Sequence, residues 1–138
     1  MADKKNKIIQ SVGKRKKAVA KAFLKNGSGT IKVNKIPLDK MEPEMIRLMI
    51  REPLIIAGDI SKKIDVDIDT KGGGIVGQAE AARQAIALGI VKFGGQKYKK
   101  IFEDYDRHLL VKDPRRTEPH KPSRSSAGPR RHKQRSKR

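Results

Sequence analysis

The stretch of this chain that most limits how it can fold is its last 26 residues, 113–138. They hold ten Lys or Arg against two acids, Asp113 and Glu118, and four prolines, and after Asp113 the only other apolar side chain is Ala127. Nothing there can form a core, so we expect a long extended basic tail that is disordered when free. Fully stretched, it would reach roughly 85 Å at ~3.3 Å per residue. An arm of this kind suits passage through a large polyanion.

The rest of the chain is basic as well. The formal net charge is +19 at pH 7, and the tail accounts for +8 of it, which leaves +11 on the other 112 residues. Charge of this sign and size indicates nucleic acid as the partner rather than a membrane, because no apolar run approaches the ~20 residues of a spanning helix. Residues 1–7 are Lys-rich and lack the apolar block of a signal peptide, so we expect a flexible N-terminus. Residues 8–112 are then one globular, RNA-binding domain.

Several kinds of chemistry are not expected. Cysteine is absent, and His108, His120 and His132 stand apart from one another, so we expect no metal site and no cofactor. No histidine-activated nucleophile or paired acid and base is visible, so we expect no catalytic residue. The five aromatic side chains all lie outside the tail, whereas proteins that read single strands stack bases on aromatic rings. The chain is therefore expected to recognise the shape and phosphates of a nucleic acid and not its base sequence.

The first third of the domain has the composition of β-structure. Residues 8–25 are predicted as two strands, or one bent strand, broken at Gly13, with alternate alanines that indicate a helix packed closely over them. Residues 26–29 are predicted as a hairpin turn that leads into a second strand over 30–34. The four cations at 14–17 fit either a solvated loop or an RNA contact, and we favour RNA because the basic domain needs a partner.

A helix is predicted over residues 39–51, with Asp39 and Glu42 as a capping box and Pro53 as its stop. Its methionines, Met45 and Met49, are assigned to the core. Residues 53–58 are either a strand or a buried connector.

The second half has clearer periodicity. Residues 64–70 alternate Ile or Val with Asp, which predicts a strand with one buried face and one acidic face that neutralises neighbouring cations. A helix follows from Ile75 to the glycines at 94–95, and a shorter one spans 98–105. The predicted core is Val19, Phe23, Ile31, Val33, Ile46, Ile64, Val66, Ile68, Ala79, Ala82, Ile86 and Ile90, and the predicted helix stripe adds Val76 and Phe93.

Gly72, Gly74 and Gly77 have the spacing of a dinucleotide-binding fingerprint between a strand and a helix. The acid expected about 20 residues later is missing, and too little chain remains for a doubly wound sheet. The glycines therefore serve either to expose helix N–H groups to a phosphate or to let helix and sheet approach closely. Both alternatives stay open at this point.

The motifs together resemble the small-subunit ribosomal protein S-nine family, of archaeal type. The matching segments, in chain order, are residues 13–20, 29–34, 72–79, 83–87, 113–118 and 136–138. They span nearly the whole chain, and the Gly72–Ala79 block together with the Ser136-Lys137-Arg138 end is the most specific part.

The resemblance implies an α/β, or α+β, two-layer domain like the second domain of ribosomal protein S-five. A four-stranded sheet would carry helices on one face and contain a left-handed βαβ crossover, although such units are normally right-handed. It also implies a non-enzymatic structural protein of the cytoplasmic ribosome. This protein would bind ribosomal RNA and neighbouring proteins in the head of the small subunit, and its tail would reach peptidyl-site transfer RNA.

The resemblance assigns transfer-RNA contacts to Ser136, Lys137 and Arg138. The residues expected to contact ribosomal RNA are Lys14, Arg15, Lys16, Lys17, Lys71, Gly73, Gly74, Arg83, Arg115, Arg116, Lys121, Arg124, Arg130, Arg131, Lys133 and Arg135. Two alternative functions are a DNA-compacting basic protein and a nucleotide-binding enzyme that uses the Gly72–Gly77 turn.

Overall fold

A computed structural model of the protein describes residues 7–121. In chain order the elements are β1 (Ile9–Arg15), β2 (Ala18–Asn26), β3 (Ile31–Val33), β4 (Ile36–Pro37), a 3-10 turn (Leu38–Lys40), α1 (Glu44–Ala57), a 3-10 segment (Gly58–Lys63), β5 (Ile64–Lys71), α2 (Ile75–Gly94), α3 (Gln96–Tyr105) and a 3-10 turn (Arg107–Leu109). The predicted flexible residues 1–6 and the tail beyond Lys121 lie outside the described residues. No described helix is long and apolar enough to cross a membrane.

The strands form one mixed sheet in the order β1-β2-β5-β3-β4. This is the predicted α+β architecture, but the sheet has five strands and not the expected four, because it includes the two-residue β4. β4 follows β3 through a turn in which Asn34 and Lys35 both have positive φ, of 49° and 69°. Because this turn lacks the usual glycine, a second hairpin is hard to predict here from sequence.

The predicted hairpin between β2 and β3 is wrong, because β5 lies between these strands and pairs with both. The connection at 26–29 instead crosses the start of β5. The Asp65 carboxylate there accepts hydrogen bonds from the backbone N–H groups of Ser28, Gly29 and Thr30, at 2.9, 3.1 and 3.0 Å. These bonds hold the turn and lower the pKa of Asp65, the Thr30 bond having the largest effect.

The real first hairpin joins β1 to β2 through Lys16 and Lys17, and Lys16 has a φ of 53°. Gly13 does not break the strand as predicted. It lies within β1, where an added Cβ would collide with the backbone carbonyl of Ala81 and lie 2.7 Å from the backbone nitrogen of Ala85. The glycine therefore lets α2 approach the sheet backbone.

The helices cover one face of the sheet. That face of β2 presents Ala18, Ala20, Ala22 and Leu24, which are all fully buried. The predicted close packing of a helix over the alanines is confirmed. The assignment of Val19 and Phe23 to the core is wrong, because both are half-exposed on the opposite, open face. The alanines leave room for α2, whereas larger side chains there would hold it away.

The first helix differs most from the prediction. It begins at Glu44 with Pro43 as its N-cap, so the predicted capping box is not formed, and Asp39 instead pairs with Arg51. The helix continues through the buried Pro53 to Ala57, so residues 53–57 are neither a strand nor a connector. Met45 is exposed, contrary to its core assignment.

The second half of the domain is as predicted. Ile64, Val66 and Ile68 of the central strand β5 are buried, and α2 and α3 begin and end within two residues of the predicted bounds. Of the predicted helix stripe, Val76 is exposed instead of buried. The parallel neighbours β3 and β5 are connected through β4 and α1. The left-handed sense of that crossover stays a prediction.

Candidate nucleic-acid interface

The four cations at 14–17 lie at the closed end of the first hairpin. Lys14, Lys16 and Lys17 are exposed, whereas Arg15 is half-buried. The backbone N–H of Lys14 donates to the Gln84 side chain at 2.9 Å, which ties the hairpin to α2 and leaves the lysine ammonium in solvent. Three of these four charges are therefore accessible to a polyanion.

The glycine turn between β5 and α2 lies directly against this hairpin. Gly72 and Gly73 have φ values of 78° and 62°, which disfavour any residue with a side chain. An added Cβ would lie 2.6 Å from the Lys17 carbonyl oxygen at Gly72 and 3.0 Å from the Ala18 Cβ at Gly73. Gly74 differs, because its φ is −104° and nothing lies within 4 Å of an added Cβ. Close approach thus explains the first two glycines but not the third.

A cleft of about 440 Å³ separates the hairpin turn from the start of α2. Its lining includes Lys16, Lys17, Gly74 and Gly77 from the body and Thr117 from the tail. The N-terminus of α2, where backbone N–H groups lack helical acceptors, opens into the same cleft. Positive side chains, a positive helix end and the start of the tail therefore meet at one place.

Beside the cleft, the start of the tail is bound to the body through Asp113. Its carboxylate accepts from the Arg15 guanidinium and from Arg115, whose Nη2 lies 2.7 Å from Oδ2. On its other side, Arg15 Nε pairs with Glu80 Oε2 of α2 at 2.6 Å. The Arg115 hydrogen bonds are the main cause of a strongly lowered pKa at Asp113, and the carboxylate in turn raises the pKa of Arg115.

A second arginine from the sequence prediction, Arg83, lies between three helices. It forms ion pairs with Glu52 of α1 and with Asp106 after α3, at 3.1 Å for Nη2 to Asp106 Oδ2. The Tyr105 hydroxyl donates to Glu52 at 2.8 Å, and this bond is the main reason that the Tyr105 pKa is raised. The neighbours of Arg83 thus give it a role in joining helices, and RNA contact by this residue stays a prediction.

The other predicted contacts divide into two groups. Lys71, Arg115, Arg116 and Lys121 are exposed, and Arg116 Nη1 donates to the backbone carbonyl of Arg115 at 3.0 Å. The remaining predicted contacts, to ribosomal or transfer RNA, lie outside the described residues: Arg124, Arg130, Arg131, Lys133, Arg135, Ser136, Lys137 and Arg138.

Comparison with known proteins decides the family. Residues 13–138 match the family described as ribosomal protein S9/S16. The chain belongs to this family. It is 54% identical over 131 residues to small ribosomal subunit protein uS9 of Methanococcus maripaludis strain C7, covering 94% of this chain and 98% of the relative. The uS9 protein of Methanococcus vannielii is 53% identical with the same coverage.

Membership confirms the family resemblance and its archaeal type, and it argues against the alternative of a nucleotide-binding enzyme. The S9/S16 proteins are structural ribosomal proteins and not enzymes, so the Gly72–Gly77 turn is not the dinucleotide site of a dehydrogenase. In this family member the turn has a clear structural use, since Gly72 and Gly73 place α2 against the hairpin. At Gly74, where close approach gives no reason for a glycine, the phosphate alternative stays a prediction.

The open face of the sheet carries both signs of charge. Asp69 lies opposite Lys21 on β2, and Asp67 lies between Phe23 of β2 and Lys32 of β3. This arrangement agrees with the predicted acidic row that offsets nearby lysines, and Asp65 additionally holds the turn at 28–30. Opposite charges at these cross-strand positions lower the net potential of the face. The open face is therefore less positive than its lysines alone would make it.

Sequence reasoning missed the partners of Arg15. In the sequence Asp113 marks the start of the tail, and Glu80 follows the glycine turn closely enough to lie in the first turns of α2. The available signal was the Asp113-Pro114-Arg115 segment itself. An acid two residues before an arginine can accept both its backbone N–H and its side chain.

Proposed function

We propose that this protein is a structural constituent of the small ribosomal subunit in the cytoplasm. In this proposal residues 8–112 bind ribosomal RNA of the head and touch neighbouring ribosomal proteins. The tail, 113–138, runs through that RNA to peptidyl-site transfer RNA. Family membership and the names of the uS9 relatives support the ribosomal role.

The observation that carries RNA binding is the meeting of three features at one cleft. Lys16 and Lys17 of the first hairpin, Gly73 and Gly74 of the glycine turn, and Thr117 of the tail all line it. Each feature alone would be weak, because an exposed lysine or a helix end occurs on many surfaces. Together they make a concave basic surface from which the basic tail continues, which suits a folded RNA backbone.

Lys16 and Lys17 in the cleft, and Lys14 and Lys71 outside its lining, would contact phosphates as exposed point charges. Backbone N–H groups near Gly73 and Gly74 would face a phosphate in the cleft. Arg115, Arg116 and Lys121 would continue the contacts along the tail, followed by the tail cations from Arg124 to Arg135. Arg15 and Arg83 would contribute less, because carboxylates already pair with their guanidinium groups.

The first test measures affinity for a small-subunit head RNA fragment as a function of salt. If six to ten phosphates are neutralised, affinity should fall by about 10³ to 10⁵ between 50 and 200 mM salt. Replacing Lys16 and Lys17 with Gln should reduce the salt slope by about two, since each phosphate contact contributes about one. Replacing Lys62 and Lys63, two exposed lysines before β5 and outside the cleft lining, is the matched control and should change the slope less.

A slope near one or two ions for the unchanged protein would contradict phosphate binding on this scale. Equal effects of the two lysine pairs would show that the cleft is not the preferred surface. Competition with duplex DNA separates the DNA-compacting alternative. That alternative requires duplex DNA to bind as tightly as the structured RNA.

The transfer-RNA part of the proposal rests on the resemblance of residues 136–138 to the end of the family. Deleting Ser136–Arg138 should leave subunit assembly nearly normal. It should weaken peptidyl-site transfer RNA by about 1–3 kcal/mol, the usual range for charge-assisted hydrogen bonds. Filter binding of transfer RNA to purified subunits that carry the truncated protein is the measurement. Unchanged affinity would show that these residues do not contact transfer RNA.

A further inference from the structure

The start of the tail is held by an ion cluster that involves two arginines and two acids. Asp113 Oδ2 accepts from Arg15 and from Arg115 Nη2 and Nε, the latter two at 2.7 and 2.9 Å. Its Oδ1 accepts from the Arg115 backbone N–H at 2.9 Å and from its Nε at 3.1 Å. The Asp113 side chain is only 13% exposed, whereas that of Arg115 is 72% exposed. Asp113 therefore sits against the body, while Arg115 reaches out from it.

The body side of the cluster is rigid. Arg15 ends strand β1 and pairs with Ala18 across the hairpin, and its side chain is 18% exposed. Glu80 on α2 binds the same guanidinium, so β1 and α2 fix Arg15 without any contribution from the tail. Two guanidinium groups and two carboxylates give the cluster no net charge. The charge of Arg15 is thus already compensated within the protein.

The backbone around Pro114 restricts the direction in which the tail leaves the body. Pro114 has a fixed φ, and a residue before proline is kept extended, so the chain leaves the cluster with few rotations free. Three residues later Thr117 lines the cleft that also contains Lys16 and Lys17. A tail held at Asp113 therefore starts along the basic cleft.

We propose that Asp113 is a positioning residue that joins Arg15 of the body to Arg115 of the tail and sets the direction in which the tail meets RNA. The RNA part of this statement rests on the proposed function. Asp113 carries the wrong charge to bind RNA itself, and its effect would pass through the two arginines. Arg15, which the sequence suggests as an RNA contact, serves in this proposal to hold the tail.

Net charge and tail positioning predict opposite effects of replacing Asp113 on RNA affinity. Removing a carboxylate raises the net positive charge of the protein by one, which by charge alone strengthens binding to a polyanion. If Asp113 positions the tail, Asp113→Asn weakens binding instead, because the tail must then be ordered when RNA binds. Glu118→Gln is the matched control, since it removes the same charge from an exposed carboxyl group in the same tail segment.

The first experiment uses the free full-length protein. The chain has no cysteine, so Lys25→Cys on β2 and Lys121→Cys on the tail give two unique spin-label sites. Pulsed electron–electron double resonance then measures the distance distribution between the two labels. It should be clearly broader with Asp113→Asn than with Asp113, and unchanged with Glu118→Gln. Equal widths for all three proteins would overturn the proposal.

The second experiment measures affinity for the head RNA fragment at several salt concentrations. Asp113→Asn should weaken binding by about 2–10-fold, the scale of ordering a few side chains on binding. Glu118→Gln should bind unchanged or slightly more tightly. Arg15→Gln should weaken binding without lowering the salt slope, and combining it with Asp113→Asn should add little. Tighter binding by Asp113→Asn, or a slope lower by about one for Arg15→Gln, would overturn the positioning role.

The two experiments separate failure of this inference from failure of the proposed function. If the protein does not bind the RNA fragment, the distance measurement on the free protein still decides whether Asp113 holds the tail. Circular dichroism spectra check that each variant is folded. If Arg15→Gln unfolds the hairpin, Arg115→Gln removes the tail side of the cluster at an exposed position and should broaden the distances in the same way.

Discussion

Replacing Ile68 with Ala tests the packing of the sheet at its centre. Ile68 lies on β5, the third of the five strands, and is 1% exposed. Its neighbours across the strands are Ala22 on β2 and Val33 on β3. The substitution removes three carbons, which at about 0.8 kcal/mol per buried CH₂ amounts to about 2.4 kcal/mol. Small neighbours on β2 cannot fill the space, so a cavity penalty adds to it and the expected loss is about 2–5 kcal/mol.

Urea unfolding of the full-length chain, followed by circular dichroism at one salt concentration, measures this loss. Phe23→Ala is the internal control, because Phe23 is a larger side chain on the open face of β2 and is half-exposed. We expect Phe23→Ala to cost less than Ile68→Ala despite removing more atoms. A loss below about half a kcal/mol for Ile68→Ala would refute the assignment of the buried face, given the range for core truncations. A larger loss for Phe23→Ala would do the same.

Four further predictions concern the glycine turn and the ion pairs. Gly72→Ala should destabilise the protein by about 1–3 kcal/mol through its positive φ, whereas Gly74→Ala should cost less, and urea unfolding compares them. Gly74→Val, whose side chain enters open space, should weaken RNA binding only if the cleft holds a phosphate. Arg83→Gln should cost about 1–3 kcal/mol in stability and leave the salt slope of RNA binding unchanged, because its charge is already paired. The pKa of Asp113 lies well below its ordinary 3.8, because Arg115 binds the carboxylate. The ion pairs of Asp113 with Arg15 and Arg115 should therefore persist above pH 3.8 and be lost only as the pH falls through the lowered pKa. Spin-label distances between the body and the tail, measured as a function of pH, check this.

The parts of the fold that could be predicted from sequence are those whose signal is local. The alternation of residues 64–70 fixes which face of β5 is buried, and the length and spacing of α2 identify it as a helix. The order of the strands is not local. The turn at 26–29 has the composition of a hairpin, yet β5, which comes later in the chain, lies between β2 and β3. The Asp65 hydrogen bonds to residues 28–30 hold the connection at the start of β5.

Two other errors have a common physical cause. On β2 the larger Val19 and Phe23 suggested the core face, but α2 packs so closely that only alanine fits beneath much of it. In α1, Pro53 suggested a helix end, but burial of this residue and of Leu54 holds the helix to Ala57. In both places tertiary packing outweighs the preference of the single residue.

The same limit applies to the candidate site, where the number of cations predicts the partner but not which cations are available to it. Arg15 and Lys16 are neighbours in sequence, yet carboxylates surround one guanidinium group and solvent surrounds the other side chain. A guanidinium group that carboxylates already neutralise displaces few of the cations condensed on RNA, so it adds little to the salt dependence. What it can do is fix geometry. In the positioning proposal, Asp113, an acid, holds the start of the tail beside the basic cleft, and a count of positive charges does not reveal a contribution of this kind.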